Sequence, residues 1–165
     1  MPMSPFVSGL RSKIGSDLLL LPSASIVVFD EHRRVLLARD ADSGLWMIVG
    51  GAIEPDEAPA DAAVREFWEE TGGVVELVRL IGVFGGPGFR KTYPNGDQTA
   101  YVVSLFEGRL TGGTLRPDGV ETTEIGWFSA AETATLATNP ITRALLAFAF
   151  GGVTSFQPAT FRPDA

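Results

Sequence analysis

Three glutamates at spacing i, i+3 and i+4 constrain this chain more than any other feature. Glu66, Glu69 and Glu70 stand in the stretch Arg65-Glu66-Phe67-Trp68-Glu69-Glu70-Thr71-Gly72. In a helix, that spacing brings all three carboxylates to one face within a single turn. Like charges held so close destabilise an isolated helix. A doubly positive ion among them removes the conflict. Hard cations such as Mg²⁺ prefer carboxylate oxygens, keep several waters and pair with phosphate groups.

The flanking residues support the helix. Ala60, Val64, Phe67 and Thr71 recur at helical spacing, roughly opposite the acids, with Ala63 and Trp68 beside them. Pro59 suits a first turn, where a missing N–H costs nothing, and Gly72-Gly73 supplies a stop. The spacing therefore predicts a helix over 59–71. Arg65 lies four residues after Asp61 and four before Glu69, so it can brace either one. Ala58 occupies the N-cap position and offers no side-chain oxygen. Upstream, Gly50-Gly51 reads as a loop whose backbone can approach a ligand closely.

Taken together, Gly51, Glu57, Arg65, Glu66, Phe67, Glu69, Glu70 and Gly72 fit the pattern Gly-x5-Glu-x7-Arg-Glu-U-x-Glu-Glu-x-Gly, with U apolar. This resembles the Nudix box, and residues 51–73 match it with three local departures. Gly73 replaces an aliphatic residue, Val49 a proline often found before the glycine pair, and Ala58 a Ser or Thr. Two further stretches look like the family: the glycine and tryptophan ahead of Gly50-Gly51, and Glu124-Ile-Gly-Trp-Phe128 followed by a short helix.

The resemblance implies an α/β fold, an α/β/α sandwich with a curved mixed sheet between helices. It makes Glu66, Glu69 and Glu70 the ligands of Mg²⁺, or of Mn²⁺ in its place. Arg65 and Glu57 then orient those carboxylates. Family enzymes often add a carboxylate from a later loop as ligand or general base. Glu121 is the candidate here, with Glu124 as competitor. The implied activity is hydrolysis of a phosphoanhydride in a nucleoside diphosphate linked to another group. A non-catalytic nucleotide sensor is the alternative, although sensors usually lose box acids and this chain keeps them. Isomerases of the family rely on a cysteine, and this chain has none.

Composition bounds the rest. With 165 residues and 45% hydrophobic content, the chain reads as one domain with one core, an N-terminal arm within 1–20 and a C-terminal tail over 151–165. The absence of cysteine rules out disulfides and thiolate metal sites, and fits the cytoplasm. A net charge of -7 disfavours nucleic-acid backbones as partners. A phosphate substrate would be repelled at long range too, unless bound metal and local basic residues reverse the field. The small-nucleotide substrate is what the resemblance implies. No apolar run is long enough to span a membrane. For substrate binding the candidates are Arg39, Gly50, Gly51, Arg90 and Tyr93, with Lys91, Phe89 and Trp46 as further phosphate- or base-facing residues. His32 falls in a turn and reads as a surface residue.

Strands are expected over 23–30 and 35–39, joined by a turn at 31–34, and then over 46–49, 74–84, 89–93, 99–107 and 125–128. Pro94-Asn-Gly-Asp97 marks a hairpin, and Leu110-Thr-Gly-Gly-Thr114 reads as a second turn. Residues 5–15 read as a short helix or an extended arm, and 130–136 and 141–150 as helices. Many family members are dimers, so a homodimer is open, with Phe156 and Phe161 of the tail as interface residues.

Overall fold

The computed structural model describes residues 3–152 and Thr154. The tail carrying Phe156 and Phe161 lies outside the described residues. The elements run α1 (Pro5–Ile14), β1 (Leu19–Val28), β2 (Val35–Asp40), β3 (Trp46–Met47), β4 (Val49–Ala52), α2 (Pro59–Thr71), β5 (Gly73–Phe84), a 3₁₀ turn (Pro87–Phe89), β6 (Arg90–Thr92), β7 (Gln98–Gly113), β8 (Thr122–Phe128), α3 (Ala130–Thr135) and α4 (Pro140–Gly151).

The strands form two sheets. One has the order β4-β1-β7-β5, with β6 also paired to β7, and the other the order β3-β2-β8. The larger sheet is mixed: β1 runs parallel to β7, while its other pairings are antiparallel. Strand β1 is central, and its side chains alternate between two cores. Ile26 and Val28 pack with Ala62, Ala63 and Phe67 of α2. Val27 packs with Leu145, Leu146 and Ala149 of α4. The larger sheet is thus covered by α2 on one face and α4 on the other, the sandwich that the resemblance implies.

Three expectations change. The apolar run at 46–49 is not one strand, because its halves pair with different partners: Trp46 and Met47 with β2, and Val49 onward with β1. Gly50 and Gly51 are therefore strand residues and not a loop, in register with Ser25 and Ala24. The expected turn at 110–114 is instead the end of β7, a strand that continues to Gly113. There Gly112 and Gly113 face Val74 and Gly73 of β5. A Cβ at Gly113, which has φ +79°, would overlap the Gly72 carbonyl oxygen, so the glycine pair marks two backbones in close approach.

The hairpin at Pro94–Asp97 is held by Asn95, which donates to Asp97 Oδ2 at 2.9 Å. Helix α1 is fastened beside it by the buried Arg11. That guanidinium donates to the Asp17 and Gln98 carbonyls, each at 2.7 Å, and to Thr99 Oγ1 at 2.9 Å. This resolves the residues near the N-terminus in favour of a helix.

Candidate active site

Helix α2 covers the stretch predicted from the apolar stripe, and Gly72 ends it in the left-handed region (φ 67°). Phe67, Ala62 and Ala63 are buried beneath it. That packing fixes the rotation of the helix and sends the acids toward the Gly50-Gly51 strand. Glu66 and Glu70 are only 8% and 5% exposed. The Glu69 side chain, by contrast, is 48% exposed.

Of the two glycines of β4, one makes room for an acid and the other for strand β1. A Cβ at Gly51 would overlap the Glu66 carboxylate, and one at Gly50 would overlap the Ala24 carbonyl oxygen. Gly50 also donates its N–H to Glu70 Oε1 at 3.2 Å.

Arg65 organises the opposite side. Its Nε donates to Glu57 Oε1 at 2.7 Å and its Nη2 to Glu57 Oε2 at 2.8 Å, a bidentate pair. Nη1 donates to Glu66 Oε1 at 2.8 Å and to Glu69 Oε2 at 3.0 Å. Nη2 also reaches the Ala52 carbonyl at 3.1 Å. Of the two braces open to Arg65 in the sequence, the structure uses Glu69. Glu57 in turn accepts the Glu54 N–H at 3.1 Å.

The electrostatics follow from this placement. Hydrogen bonds from Arg65 hold the Glu57 carboxyl below its ordinary range. Burial pushes Glu66 up; Arg65 pulls it back, and Glu69 and Glu121 push it further. Burial pushes Glu70 well up, and the neighbouring charges of Glu66, Glu121 and Asp118 add to this against the single N–H of Gly50.

Glu121 approaches from the loop between β7 and β8. Burial raises its carboxyl, as do Asp118, Glu69 and Asp40. Its backbone is pinned at both groups: the N–H donates to Asp118 Oδ1 at 3.1 Å, and the carbonyl accepts the Ala41 N–H at 2.8 Å. Asp118 Oδ1 also accepts the N–H groups of Val120 at 3.1 Å and Thr122 at 2.8 Å. Thr122 Oγ1 then donates to the Glu70 carbonyl at 2.9 Å, tying the loop to the end of α2. Glu124 faces elsewhere and pairs with Arg39 at 2.6 Å.

The remaining candidates sit farther out. Arg39 is taken up by Glu124 and by the Gly44 carbonyl, at 3.0 Å. Arg90 is exposed at the start of β6. The hydroxyl of Tyr93 is hydrogen-bonded to that of Tyr101, and Lys91 lies over its ring at 4.4 Å from the centroid. Phe89 is buried in the core, and Trp46 packs edge-on against Phe128 at 4.7 Å. Sequence reasoning missed Asp118 and Thr122. The hold of Asp118 on the loop that carries Glu121 was not legible in the sequence.

As the side chains stand, no three acidic or imidazole groups among the described residues converge closely enough to hold an ion. Arg65 occupies the space between Glu66 and Glu69. The donor set nonetheless suits a hard divalent cation. It is all carboxylate oxygen, and Glu70 is a deeply buried carboxylate with one N–H donor, a group that burial leaves short of positive charge.

Comparison with known proteins agrees with this geometry. The NUDIX domain matches residues 19–147. A Bacillus subtilis (strain 168) protein, named provisionally an 8-oxo-dGTP diphosphatase, is 38% identical over 106 residues, 64% of each chain. A MutT-like protein of Streptomyces ambofaciens is 36% identical over 111 residues, covering 67% of this chain and 64% of its own. The matches thus span about 64% of the length of these curated relatives. Among solved structures, an ADP-ribose pyrophosphatase from Streptococcus suis superposes with a TM-score of 0.58 at 25% identity, over 83% of this chain and 96% of the other. A UDP-X diphosphatase shares the fold, with a TM-score of 0.64 at 20% identity, over 91% and 70%. With its box, its fold and a family match over most of its length, this chain belongs to the Nudix family.

Proposed function

We propose that this protein hydrolyses the phosphoanhydride of a nucleoside diphosphate linked to another moiety. The observation that carries the proposal is the pair Glu66 and Glu70, buried on one turn of α2. Glu66 is fitted against Gly51 and shares Arg65, while Glu70 takes only the Gly50 N–H and has no cation beside it among the described residues. Nudix hydrolases generally use divalent metal ions. Here Mg²⁺ is the proposed ion, with Mn²⁺ able to replace it, and Glu66, Glu69 and Glu70 are its proposed holders. When bound, such an ion neutralises phosphate charge and lowers the pKa of its water.

The chain's own residues supply the rest. Glu57 and Arg65 orient Glu66 and Glu69, since the guanidinium fork fixes both carboxylates at once. If Glu66 and Glu69 were to hold an ion, the Arg65 Nη1 would have to share them, and the bidentate pair with Glu57 would keep the guanidinium in reach. Glu121, with its raised carboxyl and its place beside the other acids, accepts the proton of the attacking water. Attack at one phosphorus breaks the bridging P–O bond and releases two phosphate-bearing products. Gly50 and Gly51 let the β4 backbone lie close to the substrate, and Arg90 and Tyr93 lie on the hairpin side as further substrate contacts. Arg39 contributes only if it leaves Glu124. The cytoplasm is the proposed compartment.

A phosphate-release screen tests this reading. Nucleoside diphosphate derivatives and nucleoside triphosphates are incubated with and without Mg²⁺, with Glu70→Gln as control. Metal-dependent turnover by the wild type that is lost in the variant supports hydrolysis. Binding without turnover of any compound would make the protein a nucleotide sensor instead.

A further inference from the structure

Beside the acids, at the C-terminal end of α2, lies a second feature that the box pattern does not assign. A cleft of about 690 Å³ opens between the helix and the segment 114–118, in the size range of small-molecule sites. Glu69, Asp118, Trp68 and Arg116 are among its lining residues. Trp68 is 59% exposed, an unusual state for the largest apolar side chain, and among the described residues its ring stacks on nothing. Arg116 is exposed as well, and its guanidinium has no hydrogen-bond or ion-pair partner among the described residues.

The backbone holds Arg116 in place even though its head is unpaired. Its N–H donates to the Thr71 carbonyl at 2.8 Å, and its stem passes over Gly72. A side chain at Gly72 would overlap the Thr114 carbonyl and lie in ordinary contact with the Arg116 stem. A planar cation and an indole are thus presented together, one from the loop and one from the helix. The same cleft carries two carboxylates against this one cation, which disfavours a phosphate group. A flat, uncharged ring gains from both surfaces, by stacking on the indole and by cation–π contact with the guanidinium.

We infer that the cleft between Trp68 and Arg116 is the subsite for the aromatic base of the nucleotide substrate. Glu69 both lines the cleft and belongs to the acid cluster, and this shared residue links a base held there to the acids. This assignment rests on the hydrolase reading for the identity of the ligand as a nucleotide. Its test does not depend on turnover.

The test compares two probes: a β,γ-methylene nucleoside triphosphate, which carries a base and resists cleavage, and inorganic tripolyphosphate, which has no base. Affinities are measured by calorimetry for the wild type, Trp68→Ala, Trp68→Phe and Arg116→Ala, with folding checked by circular dichroism. Trp68→Ala should lower the ratio of nucleotide to tripolyphosphate affinity roughly tenfold or more, and Trp68→Phe should restore most of it. Arg116→Ala should lower the same ratio about fivefold. In the wild type, the nucleotide should quench tryptophan emission, and the quench should vanish in Trp68→Phe. An unchanged ratio in both alanine variants overturns the inference, as does an equal loss for both probes or a wild type that binds no nucleotide. Failure of the hydrolase reading looks different: no phosphate release by the wild type, with binding still dependent on Trp68.

Discussion

The box helix and the segment 114–122 contribute acids to the same cluster but are held in opposite ways. Helix α2 is fixed many times over: Phe67, Ala62 and Ala63 are locked into a core, and Arg65 ties Glu57, Glu66, Glu69 and the Ala52 carbonyl together. The segment 114–122 reaches the core through Leu115 and the buried Thr122. One carboxylate, Asp118, gathers three consecutive N–H groups, and two hydrogen bonds join the segment to the end of α2. Positioning on the helix is therefore redundant, whereas in the loop Asp118 is, among the described residues, the one side chain that holds the Glu121 backbone, with a single backbone bond to Ala41 beside it. The comparison separates residues whose loss should damage chemistry from those whose loss should damage placement.

The largest effect should come from Glu70→Gln. Activity should fall by at least ~10²-fold, the scale for losing one preorganised charge at a reacting centre. The metal-free variant should nevertheless melt about 2–4 °C higher, because an amide is less costly to bury than a carboxylate with one donor. A melting point below that of the wild type would mean that Glu70 is better compensated than its surroundings indicate.

Arg65→Lys comes next. An ammonium cannot reproduce the fork, so activity should drop ~10–100-fold and stability by about 2 kcal/mol. Urea denaturation and steady-state kinetics check both. A near-neutral result would show that the packing of α2 suffices without its brace. Asp118→Ala should cost about 1 kcal/mol, since its partners are near solvent, yet reduce turnover about tenfold by releasing Glu121. If rate and stability fell in the proportion seen for Arg65→Lys, the contrast between helix and loop would be lost.

Acid gives a subtler probe of the same contact. Burial opposes ionisation of Asp118, but the N–H groups of Thr122, Glu121 and Val120 outweigh it and hold its pKa below the ordinary value of 3.8. A depressed carboxyl stabilises the folded state fully above the unfolded pKa, and that contribution disappears as pH falls through the folded value. The difference in melting temperature between the wild type and Asp118→Ala should therefore be constant above about pH 5 and narrow below pH 4. The smallest expected change is a gain. Ala58 has N-cap geometry (φ -73°, ψ 146°) and no side-chain bond, so Ala58→Ser should add roughly 0.5–2 kcal/mol. An unchanged melting temperature would show that the helix start is already satisfied.

Helix α2 was legible because three local signals agree there: period, proline and glycine stop. Strands β1 and β2 were legible as apolar runs on either side of a turn, but β1 begins at Leu19, ahead of the expected 23, with Pro22 inside it. What escaped was set by partners distant in sequence. Gly112-Gly113 looks like a turn until β5 lies beside it, and Gly50-Gly51 looks like a loop until β1 does. The three clustered acids announced themselves by spacing, and Glu121 could be nominated only by resemblance. Its support through Asp118 is a local hydrogen-bond pattern of a kind that many surface loops share, so nothing in the string of residues singled it out.

The parallel pairing of β1 with β7 has a consequence for how the protein comes into being. Leu19 meets Thr99 and Val28 meets Gly108, partners 80 residues apart. During synthesis, the central strand has only β4 beside it until most of the domain has been made. The hydrophobic face of α2 and one flank of β1 must wait together, so the nascent chain passes through a stage with an open, apolar sheet edge. The acids of α2 are in the chain long before the strand that completes the sheet beneath them, and the platform becomes rigid only when residues 98–113 arrive.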